Sequence, residues 1–384
     1  MSKYNISIPT RIVFGQNVID DALKSNSTLI KGKILIVTGR NSMRKLGYID
    51  RIENILHQMN SVTDVVVYEN ITPNPRTIDV NEAITIGLNK NIDVVIGLGG
   101  GSAIDAAKAI AVGIGAREYI DEYLISGKSP SKETLPVIAI PTTAGSGSEL
   151  SMGAIITDQS RKIKTGIRGE KIFPSLAIVD PSFTYQLPLK ITCETGFDVF
   201  THAVETLISN RANPFTEMLS KEAIKIVKDN LPILVKDISN IDARKNMSYA
   251  SMLMGINLGN SSTCLPHRLQ YPIGAITDTS HSAGLASIYR SWIYHTYNYS
   301  SSKFNLIGTL LSDKKCESLT QVLESLNRFM SAVNMDTKLI NLGIKEHDLD
   351  LLEESVTGNL SNDPGFMDKS IVKKIYRSAF YNEY

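Results

Sequence analysis

Short apolar runs rich in Val and Ile alternate with helical patterns through the first half of the chain. Such runs, bounded by turn residues, are typical of strands buried on both faces. The segments between them carry apolar residues three and four positions apart, which indicates helices packed on a parallel sheet. The predicted strands are 33–39, 64–69, 93–100 and 136–142, and the predicted helices are 44–59, 77–91 and 102–114.

The pattern changes after the apolar and turn residues of 176–188. From about residue 189 the periodicity is helical, and no further strand is predicted. The fold class expected is therefore α/β plus all-α: a Rossmann-like parallel-sheet domain over 1–187, followed by a helical domain over 188–384. The predicted helices of the second domain are 193–210, 214–231, 243–259, 316–333 and one near 368–380, with a polar loop at 297–304.

Bulk composition excludes some partners. The 384 residues include 40 basic and 39 acidic side chains, which gives no electrostatic reason to expect nucleic acid or an anionic membrane as a partner. The three cysteines, at 193, 264 and 316, form no CxxC motif, so we expect no disulfide framework. The start lacks the apolar run of a signal peptide, and no apolar stretch reaches 18 residues, so a cytoplasmic location is expected.

Asp198 and His202 form the most informative pair in the chain, because residues four apart on a helix project from one face. His267 and His281 follow, and the chain has only six histidines. One carboxylate and three imidazoles would make an N3O ligand set suited to Fe(II) or Zn(II). On spacing alone, a surface Asp/His pair and two unrelated histidines remain an alternative.

A glycine-rich turn, GLGGGSAIDAAK (97–108), leads from a predicted strand into a helix. Glycines let the backbone approach a ligand, and a helix N-terminus presents N–H groups that suit a pyrophosphate. The turn departs from the Rossmann fingerprint because Ser102 replaces the third Gly or Ala, and because it follows the third strand. The alternative is an ordinary turn in which Ser102 and Asp105 form a capping box.

A second polar loop, PTTAGSGSELS (141–151), also follows a strand. Ligands of open parallel sheets gather at the carboxyl ends of strands, so the two loops are expected to line one crevice. The hydroxyl and N–H groups of this loop could hold the ribose or nicotinamide end of a dinucleotide. Taken alone, it could equally be a Ser/Thr turn.

Taken together, these motifs resemble the iron-containing (group III) alcohol dehydrogenases. GLGGGSAIDAAK, PTTAGSGSE, GFDVFTHAVE and PHRLQYPIGAITDTSH occur in that family's order and spacing, and the resemblance extends over essentially the whole chain. It implies a dinucleotide-binding domain, a helical metal-binding domain and catalysis in the cleft between them. It also implies a homodimer formed through N-terminal strands.

The resemblance assigns roles residue by residue. The metal ligands fall on Asp198, His202, His267 and His281, which would act in catalysis through the metal, with Fe(II) favoured and Zn(II) as the alternative. The positions matched to the nicotinamide cofactor are Gly39, Ser42, Asn74, Gly99, Gly100, Gly101, Ser102, Thr142, Thr143, Ser151 and Lys164.

Two departures from the family pattern bear on mechanism and cofactor. Tyr271 stands where many members have a histidine used in proton transfer, and a phenol, with a pKa of about 10, is a poor proton acceptor at neutral pH. Proton exit would then use water or a cofactor hydroxyl, with Tyr271 only shaping the pocket as the alternative.

Gly39 stands where NAD-preferring relatives carry an acidic residue, and Arg40, Arg44 and Lys45 follow it. Losing a carboxylate and gaining cations favours NADP(H) over NAD(H).

The function implied is metal-dependent hydride transfer between NAD(P)H and a small aldehyde, ketone or primary alcohol, with the protein acting as an aldehyde reductase. A reductase of an acidic-tailed aldehyde becomes the alternative if Arg268 or Arg290 enters the pocket; a surface or interdomain position is the expectation for Arg268. Trp292 and Tyr294 are candidates for core residues or pocket walls. A non-catalytic cofactor-binding sensor would bind nucleotide without turnover. Metal-free relatives of this fold lack the Asp/His set present here.

Overall fold

The computed structural model describes residues 3–161 and 163–384, and the chain forms two compact units. One unit extends from Ser7 to Thr184. The other extends from Tyr185 to Tyr384 and includes the start of the chain up to Ile6. The first unit is built around a sheet and the second from helices, so the predicted order of a parallel-sheet region and a helical region is confirmed.

A parallel sheet forms the centre of the first unit. Its strands lie in the order β1-β8-β5-β4-β2-β3, as defined by the ranges at the end of this paragraph. The predicted strands are present, whereas the edge strand β1 was not predicted, because four half-exposed residues are too few to show a period. The strands are β1 (Arg11–Phe14), β2 (Gly32–Gly39), β3 (Val62–Ile71), β4 (Val94–Gly99), β5 (Val137–Pro141), β6 (Gly153–Asp158), β7 (Ile163–Arg168) and β8 (Leu176–Val179).

Both faces of this sheet are buried under helices. Alternate residues of a strand point to opposite faces. Ile34 and Ile36 accordingly pack into one apolar cluster, and Leu35 and Val37 pack into another. The helices of this unit are α1 (Ile19–Ser25), α2 (Ser42–Lys45), α3 (Tyr48–His57), α4 (Thr77–Lys90), α5 (Gly101–Ala116) and α6 (Asp121–Ser126).

The single helix predicted over 44–59 is wrong. Gly47 adopts a φ of +70°, so the chain forms the short helix α2 and then α3. A left-handed residue cannot continue a right-handed helix, and glycine is the residue that adopts this conformation without steric cost. Ser42, the first residue of α2, follows closely after the carboxyl end of β2.

The antiparallel hairpin β6–β7 was also missed by sequence reasoning. Thr157 of β6 pairs with Lys164 of β7. The backbone N–H of Thr157 also donates to the carbonyl of Pro75, 2.8 Å away. This backbone hydrogen bond therefore connects the hairpin to the turn that contains Asn74.

The second unit is helical throughout its regular elements, and α7 packs against α8, α9 and α11, as numbered below. The polar loop predicted at 297–304 is wrong in its second half, because a helix begins at Ser301. None of the helices in the described chain is both long and apolar enough to cross a bilayer. The helices are α7 (Leu189–Ile208), α8 (Pro214–Lys236), α9 (Ile241–Asn260), α10 (Leu265–Thr277), α11 (His281–Thr296), α12 (Ser301–Ser312), α13 (Leu319–Ala332), α14 (Leu349–Glu354) and α15 (Ser370–Tyr381).

Aromatic side chains fill the centre of the helical unit. Phe200 packs against Phe329 with ring centroids 4.7 Å apart, and Tyr289 packs against Trp292 at 5.1 Å. Trp292 is fully buried and its indole N–H donates to Asp363, 2.8 Å away. Trp292 is therefore a core residue, whereas Tyr294 is exposed.

Candidate functional site

Helix α7 presents Asp198 and His202 on one face, as the spacing predicts. Both side chains are buried. His202 Nε2 lies 3.8 Å from Asp198 Oδ1. A charged carboxylate and an imidazole are rarely buried together without a third group to compensate them.

The other two histidines reach the same carboxylate oxygen from different helices. His267 lies in the first turn of α10, and His281 is the first residue of α11, whose N-terminus is capped by Ser280. His267 Nε2 lies 3.8 Å from Asp198 Oδ1, and His281 Nε2 lies 3.6 Å from it. The structure therefore brings Asp198, His267 and His281 together as one group of possible ligands, and places His202 Nε2 3.8 Å from the same carboxylate oxygen.

The spacing of these atoms fits a shared cation better than direct hydrogen bonds. Hydrogen-bonded N and O atoms are about 2.7–3.2 Å apart. Two ligands that each lie about 2.1 Å from an ion with tetrahedral angles are roughly 3.4 Å apart. The separations of 3.6–3.8 Å are closer to the second arrangement. The ligand atoms of Asp198, His267 and His281 all lie within 4.8 Å of one another, and the His202 ring stacks on that of His267 at 4.6 Å.

Several buried side-chain atoms make no hydrogen bond in the described chain, and two of them are candidate ligand atoms of this set. These two are Asp198 Oδ1 and His267 Nε2, and each faces the other. Buried polar atoms are almost always satisfied, so an orphaned pair of electron donors is the signature of an ion-binding position. The donor set, one carboxylate and three imidazoles, suits Fe(II) or Zn(II). The residues therefore fit the metal that the ligand pattern predicts.

A second carboxylate, Glu205, supports His267. Glu205 Oε1 lies 2.7 Å from His267 Nδ1, and Glu205 Oε2 accepts from the backbone N–H of Cys264 at 2.8 Å. Sequence reasoning missed Glu205, although it lies seven residues after Asp198 and three after His202 on the same helix. That i, i+4, i+7 spacing is the signal that could have found it.

His281 is supported in the same way by an amide. Gln270 Oε1 lies 2.5 Å from His281 Nδ1. An imidazole that donates through Nδ1 keeps its lone pair on Nε2. Glu205 and Gln270 therefore both favour the tautomer whose Nε2 points toward Asp198.

The electrostatics of the pocket favour positive charge. In the described chain no Lys or Arg pairs with either Asp198 or Glu205. Burial alone would lower the pKa of His267, but Glu205 and Asp198 raise it to about 10. Burial would raise the pKa of Asp198, but His202 and its neighbouring histidines hold it well below its usual range. A divalent cation would satisfy both carboxylates and release the imidazole proton.

Tyr271 and Arg268 lie beside this centre. The Tyr271 ring is nearly parallel to the His281 ring, with centroids 6.3 Å apart. Arg268 is buried, and its guanidinium carbon lies 5.6 Å from the Tyr271 ring centroid. Of the surface or interdomain position expected for Arg268, the surface position is therefore wrong. Arg290 instead pairs with Asp336 at 2.7 Å and donates to Asn327.

The cysteines near the ligands are buried and make no case for a nucleophile. Burial raises the pKa of Cys193 and, more strongly, that of Cys264. A thiol that stays protonated is a poor nucleophile. Both residues behave as small apolar side chains in this unit.

In the first unit, the glycine-rich turn connects β4 to α5. Gly99 has a φ of +150°, and Gly100 precedes the first residue of α5. No side chain in the described chain caps this helix, so the capping-box alternative for Ser102 and Asp105 is wrong. Asp105 instead accepts from Ser148 Oγ and from the backbone N–H of Ile155.

The second polar loop packs directly on this turn. The N–H of Thr142 donates to the carbonyl of Gly99 at 2.9 Å. A Cβ added to Gly100 would lie 3.3 Å from Thr143, and one added to Gly101 would lie 2.5 Å from Ser146 Oγ. The loops after β4 and β5 therefore form one surface, and the glycines permit that close approach.

Lys108, a buried lysine of α5, connects the helix that follows the glycine-rich turn to the end of the second polar loop. Lys108 Nζ donates to the carbonyl of Gly153 at 2.5 Å and lies 3.3 Å from both the carbonyl and the hydroxyl of Ser151. Burial lowers the pKa of Lys108, whereas Asp105, 3.4 Å away, opposes that shift. Burial also raises the pKa of nearby Glu149 to about 7.

Asn74 and Lys164 are in contact, although 90 residues separate them. Lys164 Nζ donates to Asn74 Oδ1 at 2.8 Å, and Asn74 adopts a φ of +58°. Gly39 and Ser42 lie at the carboxyl end of β2, the sheet neighbour of β4. The residues matched to the cofactor that end or follow β2, β3, β4 and β5 therefore lie along the carboxyl edge of the parallel sheet, and Lys164 of β7 contacts one of them, Asn74.

The cations after Gly39 are not all available for a phosphate. Arg44 Nε lies 2.9 Å from Glu69, and Arg44 Nη1 lies 3.1 Å from Asp50. Arg40 Nε donates to the carbonyl of Asn70 at 3.3 Å. Arg44 is therefore occupied by carboxylates that sequence reasoning did not anticipate.

Comparison with known proteins places the chain in a family. The Iron-containing alcohol dehydrogenase model matches residues 9–181, and the model named Fe-containing alcohol dehydrogenase family, C-terminal, matches residues 192–380. Alcohol dehydrogenase 4 of Schizosaccharomyces pombe is 32% identical over 377 residues, which are 97% of this chain and 88% of that protein.

Solved structures of similar sequence have the same fold as this chain. The archaeal halo-thermophilic alcohol dehydrogenase ADH/D1 from a Red Sea brine pool, bound to NZQ, has a TM-score of 0.93 at 29% identity, over 99% of both chains. Sulfoacetaldehyde reductase from Bifidobacterium kashiwanohense, in complex with NAD+, has a TM-score of 0.84 at 26% identity, over 98% of both chains. The chain belongs to the iron-containing alcohol dehydrogenase family. It is an oxidoreductase of the alcohol dehydrogenase type, served by a metal and a nicotinamide cofactor.

Proposed function

We propose that this protein is a metal-dependent aldehyde reductase, which moves a hydride between NAD(P)H and the carbonyl carbon of a small aldehyde or ketone, or in reverse from a primary alcohol. One observation carries the proposal. Asp198 Oδ1 is surrounded by three imidazole Nε2 atoms at 3.6–3.8 Å, and no hydrogen bond satisfies it within the described chain.

Asp198, His202, His267 and His281 would hold the ion. When bound, a divalent ion would supply Lewis acidity toward a carbonyl oxygen and would lower the pKa of an alcohol. Four protein ligands fill a tetrahedral zinc site, whereas Fe(II) accepts further ligands, so Fe(II) is the ion we favour and Zn(II) is the alternative.

The exposed fractions of the three histidine side chains indicate the side from which a substrate would approach the metal centre. The His281 side chain is 28% exposed, whereas those of His202 and His267 are 5% exposed. Tyr271 lies on this open side beside His281. Tyr271 would shape the pocket there, while His202 and His267 exclude water from the buried side.

The nicotinamide dinucleotide would bind along the carboxyl edge of the sheet. The start of α5, at Gly99–Ser102, offers backbone N–H groups and a helix N-terminus to the pyrophosphate. Thr142, Thr143 and Ser151 would lie along the rest of the cofactor. By the family resemblance, Asn74 would lie near the adenosine side of the cofactor and Lys164 would reach a ribose, and the hydrogen bond between them supports neighbouring positions along the cofactor.

NADP(H) is the form of the cofactor that we favour. Gly39 offers no carboxylate to a ribose 2′-OH, and exposed Arg40 and Lys45 follow it. The ion pairs of Arg44 weaken that argument, so two cations rather than three support it. NAD(H), which the sulfoacetaldehyde reductase structure contains as NAD+, is the alternative.

A second candidate function is reduction of an aldehyde with an acidic tail. The sulfoacetaldehyde reductase shares this fold over nearly its whole length. In this chain, Arg268 is buried next to His267 and pairs with no carboxylate of the described residues. A cation in that position would favour a negatively charged substrate.

Turnover after metal loading tests the proposal. The purified protein would be stripped of metal, loaded with Fe(II) or Zn(II), and assayed with NADH and NADPH on a panel of aldehydes and alcohols. We expect Fe(II) to restore turnover and His267→Ala to abolish bound metal and turnover while nucleotide binding persists. Full activity of the variant would contradict the ligand assignment. Nucleotide binding without turnover on any compound would favour a cofactor-binding sensor.

We also propose a homodimer and a cytoplasmic location. Tyr4, Ile6 and Ile8 alternate along the N-terminal segment and are exposed, and β1 lies at the edge of the sheet. An exposed edge with alternating apolar residues is a surface that a second strand can pair with. Sedimentation of the purified protein tests the dimer, and a mass of one chain at micromolar concentration would contradict it.

A further inference from the structure

Arg268 is a buried cation whose hydrogen-bonding groups are largely unused. Its side chain is only 6% exposed, and a guanidinium has five N–H donors. In the described chain, one of them meets an acceptor, the Tyr271 hydroxyl, 3.5 Å from Nη1. Nε is buried without an acceptor.

Two other buried arginines of the helical unit are satisfied. Arg244 donates to Thr192 Oγ1 at 2.8 Å and to two backbone carbonyls, and Arg290 pairs with Asp336 at 2.7 Å. A buried charge without a partner is costly, so the fold retains one where a ligand supplies the partner. Arg268 therefore differs from Arg244 and Arg290 in that most of its guanidinium N–H groups have no acceptor in the described chain.

Arg268 is connected to the candidate metal centre through Tyr271, whose ring lies between Arg268 and His281. Arg268 directly follows His267 on α10, and Tyr271 comes one turn later. His281 is the most exposed of the three histidines, so its side is the one on which a substrate meets the ligand set. The stem of Arg268 passes beside Gly358, where φ is +90° and an added Cβ would lie 3.4 Å from Arg268 Cδ.

We propose that Arg268, together with the Tyr271 hydroxyl, forms a subsite for an anionic oxyacid group on the tail of the aldehyde substrate: a phosphonate, a sulfonate or a carboxylate. The inference rests on the proposed reductase function and names the substrate class for the same site. A guanidinium binds such groups through two parallel charge-assisted hydrogen bonds. The subsite sets the distance between the anionic group and the carbonyl, and so fixes the aldehyde for hydride transfer.

Competition between charged and neutral aldehydes tests the subsite. The metal-loaded enzyme would be assayed with phosphonoacetaldehyde and succinic semialdehyde, and with propanal and butanal as neutral counterparts. We expect kcat/KM to favour an acidic-tailed aldehyde at least tenfold. In Arg268→Met this preference should be almost completely lost, mainly through KM, whereas Arg268→Lys should retain part of it because charge persists without the planar fork.

Binding of methylphosphonate, measured by calorimetry, gives a readout that needs no turnover. It should bind wild-type protein, compete with the acidic-tailed aldehyde, and bind Arg268→Met at least tenfold more weakly, with metal content and thermal midpoint of the variant as controls for folding. Inorganic phosphate serves as a second probe, and failure of both anions to compete with the acidic-tailed aldehyde would overturn the assignment of the subsite to a substrate tail.

The failures of the two proposals are distinguishable. If neutral aldehydes are reduced but acidic tails confer no preference, the subsite is overturned and the reductase function stands. An unchanged preference in Arg268→Met would also overturn the subsite. If no aldehyde is reduced under any metal loading, the reductase function fails, and methylphosphonate binding that depends on Arg268 would then still support an anion site.

Discussion

Glu205 Oε1 lies 2.7 Å from His267 Nδ1, and this contact links a fully buried carboxylate to a candidate metal ligand. The same carboxylate accepts from the N–H of Cys264, just before α10. Glu205 therefore positions both the His267 ring and the start of the helix that carries it. The arrangement adds a negative charge to the pocket and makes the imidazole a stronger ligand.

Glu205→Gln is expected to weaken metal binding about 10- to 100-fold, because the charge is lost and the amide cannot accept from both partners. Competition with a chelator measures the affinity, and nucleotide binding should not change. Glu222→Gln, at an exposed position of α8, is the matched control. Unaltered metal affinity in Glu205→Gln would rule out its role as a support of His267.

Gly284→Ala is expected to displace Gln270 from His281. A Cβ at position 284 would lie 2.7 Å from Gln270 Cγ and 3.0 Å from its Nε2. The displaced amide would no longer fix the His281 tautomer, so metal content after loading should fall several-fold. In a Gln270→Ala background the same change should have little further effect, because the clash is gone. Equal losses in both backgrounds would show that Gly284 acts by another route.

Gly39→Asp is expected to lower the ratio of kcat/KM for NADPH to that for NADH at least tenfold. A carboxylate there would repel a 2′-phosphate and could accept from a 2′-OH. The position has room, since a Cβ would lie 3.6 Å from the nearest atom, the carbonyl oxygen of Ile71. Gly39→Asn, which adds the same bulk without charge, is the control. A ratio that moves equally in both variants would remove the charge argument.

Glu149 is expected to make the folded state less stable as pH rises. Burial raises the pKa of this carboxyl from 4.5 to about 7, so the folded protein holds the proton more tightly than the unfolded chain. The contribution is fully present below about pH 4.5 and is lost as pH rises to about 7, by on the order of 3 kcal/mol.

Thermal midpoints of wild type and Glu149→Gln between pH 4.5 and 7.5 measure that loss. We expect the difference between the two proteins to shift in favour of the variant as pH rises across this window. Glu133→Gln, at an exposed position, is the control and should follow the wild type. A difference that stays constant with pH would show that Glu149 is already ionised in the folded protein.

Much of the fold could be predicted locally. The buried strands β2, β4 and β5 carry apolar runs whose length and flanking residues identify them without knowledge of their neighbours. Elements that depend on a partner were missed. The hairpin β6–β7 is defined by its pairing, and the end of one helix at Gly47 depends on a backbone conformation that the apolar period does not report.

The candidate site shows the same division. The facing of Asp198 and His202 follows from helical geometry, whereas the meeting of His267 and His281 with Asp198 Oδ1 depends on how α7, α10 and α11 pack. The sequence pattern did not predict the ion pairs of Arg44 with Glu69 and Asp50. These pairs form only because the fold brings the helix α2 close to β3 and α3.

The sequence by itself determined the alternation of strands and helices, the glycine turn before α5 and the shared face of Asp198 and His202, because each arises from backbone geometry within one or two turns of chain. Only the tertiary structure decided that Glu205 supports His267, that Lys164 meets Asn74 and that Arg268 is buried without a carboxylate. These are contacts between residues that local spacing does not relate, and packing of the whole unit selects them.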